Sequence, residues 1–515
     1  MRKNVYTIWK VSKRNFADFL VFLVLFSCVK KEEVKTSPNV IIVLADDMGY
    51  SDLGITGSEI LTSNLDKLAR NGVLFTACYN ASRCCPSRAS LLTGLYSHKA
   101  GIGHMDSDLG LFSYQGFLDE NVTTIAEAFR DQDYRTIMTG KWHVGNERIH
   151  WPDRRGFDRF YGIPAGGGLY FYPSNYLDRP IYRNQEQVFP DSASFYSTNN
   201  FTTEAIGFIE EAVLDQKPFF AYLAYIAPHF PLQALPEDIK KYNGVYDQGY
   251  EYIRSRRFEK QKKLGIVSDD IEISLPEFPS WETVENKAEE IKKMQVYAAQ
   301  VDRLDQNIGI LIDQLKNLGV YENTVIIFLS DNGASREAVN RSGNAPIGGA
   351  DSFVSYGMHW ANVSNTPFRS YKSETYEGGI RTPLLFSLPC DPNSNGKVIE
   401  EPIHIIDIMP TLLDITGISL EEGDFDGKSF LGLIAGTKDN HHQALFWEHQ
   451  GNKAVWNNGF KLVQMHEKDW ELYNLTRDPY ETEESTSTLK DSLKNRWNQW
   501  AYESGVESWP IPKPR

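Results

Sequence analysis

The sequence predicts an α/β fold: a large, doubly wound, mostly parallel mixed sheet flanked by helices, then a smaller C-terminal domain with an antiparallel sheet and a helix. Three observations carry this. Residues 39–45 (NVIIVLA) and 324–329 (TVIIFL) are unbroken apolar runs rich in β-branched residues, and each stops at an acidic turn, Asp46-Asp47-Met48-Gly49 and Ser330-Asp331-Asn332-Gly333. Runs without alternation read as strands buried on both faces, as in parallel sheets. Helical periodicity fills the intervals between such runs. Beyond about residue 430 the rhythm changes to short segments separated by turn signals.

Taken in chain order, residues 1–27 are not expected to belong to the fold. Arg2, Lys3, Lys10, Lys13 and Arg14 precede an apolar run over 19–26, too short to span a bilayer. The run ends Leu25-Phe26-Ser27-Cys28, which resembles a bacterial lipobox. This predicts a lipoprotein signal peptide over 1–27, acylation of Cys28, and a solvated tether over 28–37. The protein would then be exported, periplasmic or held at the outer membrane or cell surface, touching the membrane only through that anchor. Removing residues 1–27 takes five basic residues and Asp18, so the formal charge moves from −15 to −19. Such a chain is no nucleic-acid binder by bulk charge, and an anionic substrate needs a locally positive site.

Helices are expected over 62–71, 123–132, 202–214 and 287–318. Strands are expected over 135–138, before TGKWH, over 219–227, before PHFP, and over 384–386, after EGGIRTP. The charged stretch 235–290 reads as an insertion. A structural helix is expected after His404, and a closing helix near 485–502. Ligands of doubly wound folds sit beyond the carboxyl ends of the strands, where the acidic pairs, Lys-Trp-His and Pro-His fall.

The cysteines are 28, 78, 84, 85 and 390, with no CxxC and no HxxxH, which argues against a Cys/His zinc site. Cys78 and Cys390 read as core thiols, and His441, His442 and His466 as solvated. Residues 84–94 read CCPSRASLLTG. Pro86 suits a helix's first turn and Gly94 its far end, so a helix is expected over about 86–93. Cys84 would sit just before it, where unpaired N–H groups favour negative charge, with Arg88 one turn on. Asp46, Asp47, Asp331 and Asn332 end two predicted core strands. Three crowded carboxylates need a hard cation, and all-oxygen ligation points to Ca²⁺ or Mg²⁺, with flexible geometry favouring Ca²⁺.

The stretch 84–94 resembles the signature of the type I formylglycine-dependent sulfatases, arylsulfatase-like enzymes of the alkaline phosphatase superfamily. The resemblance covers roughly 38–480 and includes ADDMGYSDLG, GKWHVG, APHFPLQ, LSDNG and NTPFRSYKSETYEGGIRTP. It implies a catalytic sulfatase domain over 38–430 and a C-terminal subdomain over 431–515. It implies that a maturation enzyme oxidises Cys84 to formylglycine, with Cys85 structural. It implies calcium ligation by Asp46, Asp47, Asp331, Asn332 and modified Cys84. Arg88 would hold the formylglycine, and Lys141, His143, His229 and Lys372 would complete the sulfate pocket. By this resemblance the aldehyde hydrate attacks sulfur, His229 with Lys372 protonates the leaving oxygen, and His143 takes the proton that releases sulfate. The implied substrates are sulfated glycans, with aryl sulfates as surrogates. His104 reads either as a contact to the alcohol part of the substrate or as structural, and the aromatic stretch 162–176 as a sugar platform or a packed loop. Two rival readings remain at this level: a phosphonate monoester hydrolase or phosphodiesterase of the same superfamily, and an inactive lipoprotein that binds sulfated glycans.

Overall fold

The computed structural model describes residues 37–511, apart from 169, 175–178, 392–393, 421–423 and 438–440. The expected signal peptide, Cys28 and all of the tether but Ser37 lie outside the described residues. Among those residues the main sheet has eleven strands: β1 (Asn39–Asp46), β2 (Val73–Tyr79), β3 (Arg135–Lys141), β4 (Arg159–Ile163), β5 (Ile181–Arg183), β6 (Glu186–Val188), β7 (Phe219–Pro228), β8 (Thr324–Ser330), β9 (Arg381–Ser387), β10 (Lys397–Ile399) and β11 (Ile403–His404). Their spatial order is β10-β2-β9-β8-β1-β7-β3-β4-β5-β6, with β11 beside β2. β1 lies at the centre, parallel to both β7 and β8. β9 runs antiparallel to β8 and β2, which makes the sheet mixed.

The apolar run of β1 is explained by its two faces. Ile41, Val43 and Ala45 enter one core, while Val40, Ile42 and Leu44 enter another, as period-two side chains must. The first core is roofed by helices α1 (Ser63–Arg70), α4 (Ser197–Leu214) and α6 (Lys287–Asn317). The second is covered by α2 (Cys84–Thr93), α3 (Ile125–Arg130) and α7 (Ile408–Thr416). Each branched side chain so buried contributes about 1.5–3 kcal/mol, so one strand facing two cores is a large share of the stability.

The charged stretch 235–290 is tied into the fold. Its helix α5 (Gly249–Lys263) buries Arg257, which pairs at 2.8 Å with both Asp52 and Glu59 in the segment after β1. Cys390 is exposed and corrects the expectation of a core thiol, whereas Cys78 is buried in β2. β2 itself was not foreseen. Asn71-Gly72 marks the turn out of the preceding helix, but VLFTACY carries no alternation of its own, and pairing on both sides makes it a strand.

The C-terminal part is an antiparallel meander, β12 (Leu445–His449), β13 (Asn452–Asn457), β14 (Phe460–Gln464) and β15 (Glu471–Asn474). Helix α8 (Lys490–Glu503) lays Leu493, Trp497 and Trp500 on one face, against Val455, Leu462 and Leu472. The other face packs Trp447, Val463 and Tyr473 on Ala77, Tyr79 and Ile380. Lys461 of β14 is buried between two carboxylates, 2.7 Å from Glu377 and 2.8 Å from Glu481. Burial first, and then the Glu377 charge, push the Glu481 carboxyl up to about 7 against the pull of Lys461. Lys461→Met leaves the buried Glu481 without its cation and Glu377 with Arg381 alone, and is expected to cost about 3 kcal/mol, read from denaturant midpoints. A raised carboxyl stabilises the fold while protonated. Its contribution is full below its ordinary 4.5 and fades as pH rises through about 7. Glu481→Gln should therefore flatten the stability slope in that window, and an unchanged slope would remove Glu481 as its source.

Candidate active site

The carboxyl ends of β1, β8, β3 and β7 deliver the acidic pairs and cationic groups to one point. Asp46 is the last residue of β1, and Asp331 and Asn332 follow β8 directly. All are buried, as is Asp47, whose φ of 66° turns the chain sharply in the left-handed region. The backbone N–H of Asp47 donates to Asp331 Oδ1 at 3.2 Å, and Asn332 Nδ2 donates to Asp47 Oδ1 at 2.8 Å. Asp46 Oδ1 and Asn332 Oδ1 are buried and accept no hydrogen bond. Two orphaned oxygens amid three carboxylates could hold a hard cation.

Cations surround this acidic centre. Lys141 Nζ, at the end of β3, lies 2.6 Å from Asp46 Oδ2. Lys372 Nζ lies 2.7 Å from Asp47 Oδ1. Arg88 is wholly buried; it donates to Asp331 Oδ2 at 2.9 Å and to the Lys141 carbonyl at 2.8 Å, and lies 3.5 Å from Asp46. Burial works against the charges on Lys141 and Lys372, yet Asp46 and Asp47 beside them hold both above the ordinary lysine pKa. Burial and the Asp46 charge push the Asp331 carboxyl well up. Burial would also raise Asp46, but Lys141, His229 and Arg88 hold it low.

Cys84 is the first residue of α2 rather than the residue before it, and Gly94 closes the helix at φ 68° as expected. The thiol sits at the helix's positive end. Its pKa falls well below the ordinary value, first through a hydrogen bond from Cys85, then through Lys141, His143 and Lys372 working against burial. Cys84 Sγ, Cys85 Sγ and a His143 ring nitrogen lie within 4.8 Å of one another. Both thiols border the same apolar core, but burial and the hydrogen bond to Cys84 push the Cys85 thiol well above its ordinary value, opposite to its neighbour.

His143 has a φ of 60° and faces Asp106, 3.5 Å from Nε2. Gly166 passes so close that an added Cβ would stand 2.0 Å from that ring nitrogen, which fixes glycine there. His229 Nε2 lies 3.5 Å from Asp47 Oδ2, and its Nδ1 is 2.5 Å from the Phe230 carbonyl. Tyr170 donates to the His229 carbonyl at 2.8 Å. The aromatic stretch is thus packed support here: Tyr170 is buried, and Phe171 and Tyr172 rest against the core. A cleft of about 480 Å³ opens over His229, lined by Gly167, Gly168, Phe230, Glu337 and Arg341. A larger cavity of about 1050 Å³ near Arg381 and Trp456 contains none of these groups.

The structure therefore brings Asp46, Asp47, Cys84, Arg88, Lys141, His143, His229, Asp331, Asn332 and Lys372 together. His104 lies 4.9 Å from the Trp509 ring and 5.8 Å from His449; burial, then the Arg83 charge, lower its pKa, against the pull of Glu448 and Asp106. Three neighbours had no signal in the sequence. Asp106 faces His143, and Arg83 pairs with Glu337 at 3.3 Å beside Cys84. They are isolated charges in loops, and only the fold shows what they face.

A family model described as Sulfatase matches residues 38–418, and one described as N-sulphoglucosamine sulphohydrolase, C-terminal, matches 370–500. An uncharacterised sulfatase of Schizosaccharomyces pombe is 33% identical, over 93% of this chain and 96% of its own length. An arylsulfatase of Klebsiella aerogenes is 38% identical, over 74% of this chain and 87% of its own. Among solved structures, that of Ps i-CgsB in complex with k-i-k-neocarrahexaose superposes with a TM-score of 0.71 at 28% identity, covering 92% of this chain and 94% of that one. The chain belongs to the sulfatase family of the alkaline phosphatase superfamily and is a sulfuric ester hydrolase.

Proposed function

We propose that the protein removes sulfate from sulfated saccharides, using oxidised Cys84 and a calcium ion, with aryl sulfates as surrogate substrates. The observation that carries this is the meeting of Cys84, at a buried helix start, with three carboxylates and the Lys141, Lys372, His143 and His229 side chains. The oligosaccharide bound by Ps i-CgsB supports a saccharide over a small aryl ester as the natural substrate.

The orphaned oxygens of Asp46 and Asn332 fit calcium, with Asp47 and Asp331 completing a set of hard ligands. When present, the formylglycine formed at position 84 by a maturation enzyme supplies a hydrated aldehyde as nucleophile, and calcium supplies Lewis acidity. The chain's own side chains do the rest. Lys141 and Lys372 offer fixed positive charge to the sulfate oxygens in a water-poor pit. Arg88 pins Asp46 and Asp331 and so holds their oxygens in place. His229 keeps Nδ1 against the Phe230 carbonyl, which leaves Nε2 to hand a proton to the departing alcohol oxygen. His143, beside residue 84 and oriented by Asp106, is placed to accept a proton from that side. The locally positive pit reconciles an anionic substrate with a strongly acidic chain.

Exhaustive chelation is expected to lower turnover by about 10²-fold or more, with calcium restoring it. Calorimetry should show calcium binding that Asp331→Asn weakens; full activity and no calcium uptake would remove the metal from the reading. A comparison of sulfate, phosphonate and phosphodiester substrates tests the reaction class. We also propose that residues 1–27 direct export and that Cys28 carries a lipid, on the basic start and apolar run alone, with a catalytic part over 38–430 and a C-terminal part over 431–515. Among the described residues no helix is long and apolar enough to cross a membrane.

A further inference from the structure

Away from the active site, a second group of ligating side chains is assembled from positions far apart in sequence. His441 and His442, expected to be solvated, are instead 1% and 5% exposed. Both aim at Asp407, which is wholly buried at the start of α7. His442 Nε2 lies 2.8 Å, and His441 Nε2 3.3 Å, from the same oxygen, Asp407 Oδ2. The three ligating atoms all lie within 4.8 Å of one another. Among the described residues neither ring nitrogen of His441 makes a hydrogen bond of good geometry, and nor does Nε2 of the neighbouring buried His404. Asp407 Oδ2 already accepts the His404 N–H at 2.7 Å, and Oδ1 accepts the Lys428 N–H at 2.8 Å. Its carboxylate is thus oriented by backbone donors while two imidazoles converge on it. Burial opposes its charge, and the two histidines hold its pKa low.

A hydrogen-bonded Asp-His pair accounts for His442 alone. It leaves His441 buried with Nδ1 unpartnered and Nε2 in a 3.3 Å contact outside good hydrogen-bond geometry, an arrangement folded proteins avoid. A borderline-soft divalent cation accounts for both rings. Ligands about 2 Å from a tetrahedral ion stand about 3.3 Å apart, and the observed 2.8 and 3.3 Å lie close to that edge. Two imidazoles and one carboxylate suit zinc, not the oxygen-only preference of calcium.

We propose that Asp407, His441 and His442 form a zinc-class metal site, separate from the active site, that fastens the segment entering β12 to the turn before α7. That turn packs on α2, the helix that begins with Cys84, so the ion would brace the nucleophile's support without touching substrate. The inference does not depend on the calcium or formylglycine reading.

The test uses the full-length enzyme kept in saturating calcium, stripped of transition metals and reloaded with zinc or cobalt. About one equivalent of zinc per chain is expected by elemental mass spectrometry. It should be lost in His441→Ala and His442→Ala but kept in His466→Ala, which alters a half-buried histidine outside this cluster. X-ray absorption on the wild-type zinc or cobalt form should show imidazole nitrogen and carboxylate oxygen neighbours. Failure to take up stoichiometric zinc overturns the proposal, as does zinc retained in both histidine variants. If those variants do not fold, the wild-type spectrum decides. A sulfur neighbour would place the ion at Cys84 and Cys85, and an oxygen-only shell would place it in the acidic centre; either result overturns the assignment.

Discussion

Cys84→Ala is expected to lower sulfate-ester turnover by on the order of 10⁴-fold or more while leaving the protein folded. The argument is one of position. Cys84 is the one thiol at the helix start that is flanked by Lys141, Lys372 and His143, and its thiolate is stabilised there. Alanine removes the thiol whose charge that surrounding favours, and the neighbouring Cys85 thiol, pushed well up by burial and by Cys84, is not equipped to replace it. Folding should survive, because a small buried side chain is trimmed and no charge is stranded; the cost is about 1 kcal/mol. Cys85→Ala is the informative partner. Cys85 lies among apolar side chains, so its loss should cost similar stability with turnover within about tenfold of wild type. Mass spectrometry of the native enzyme should find the aldehyde at position 84 and a thiol at 85. A Cys84→Ala enzyme with near-normal turnover ends the nucleophile assignment.

The legible parts of the sequence were those where one local pattern carried the physics. β1 and β8 were readable because both faces are buried, which leaves no polar residue inside the strand. The metal-ligand candidates were readable because they end those strands. Helix α6 emerged with nearly its expected limits because a long amphipathic helix repeats one signal many times. Elements defined by their neighbours were less legible. β2 is a strand through its pairing with β9 and β10, and β4 to β6 are short edge strands with little pattern of their own. His441 and His442 sit in a polar stretch and looked solvated; what buries them is a contact with Asp407, more than thirty positions earlier. Asp106 was silent for the same reason. A carboxylate that faces a histidine 37 residues away leaves no spacing to read.

His229→Ala should separate substrates by the basicity of what leaves. A general acid contributes most when the departing oxygen is a poor leaving group, so its loss should lower kcat/KM for a saccharide sulfate by about 10²–10⁴-fold. An aryl sulfate with an electron-withdrawing ring expels a stable phenolate and needs little protonation, so the same variant should lose much less on it. The geometry makes the test clean. His229 is held by its backbone, with its carbonyl taking the Tyr170 hydroxyl and its N–H donating to the Ile226 carbonyl, so truncating the ring loses the Nδ1 contact with Phe230 but leaves these backbone anchors intact. Asp47 loses a neighbour at 3.5 Å but keeps Lys372 at 2.7 Å, which limits the disturbance to the acidic centre. Equal losses on both substrates would mean that His229 binds the sulfate group and protonates nothing. A loss confined to the saccharide substrate would place the proton on Nε2, the nitrogen that the Phe230 carbonyl leaves free.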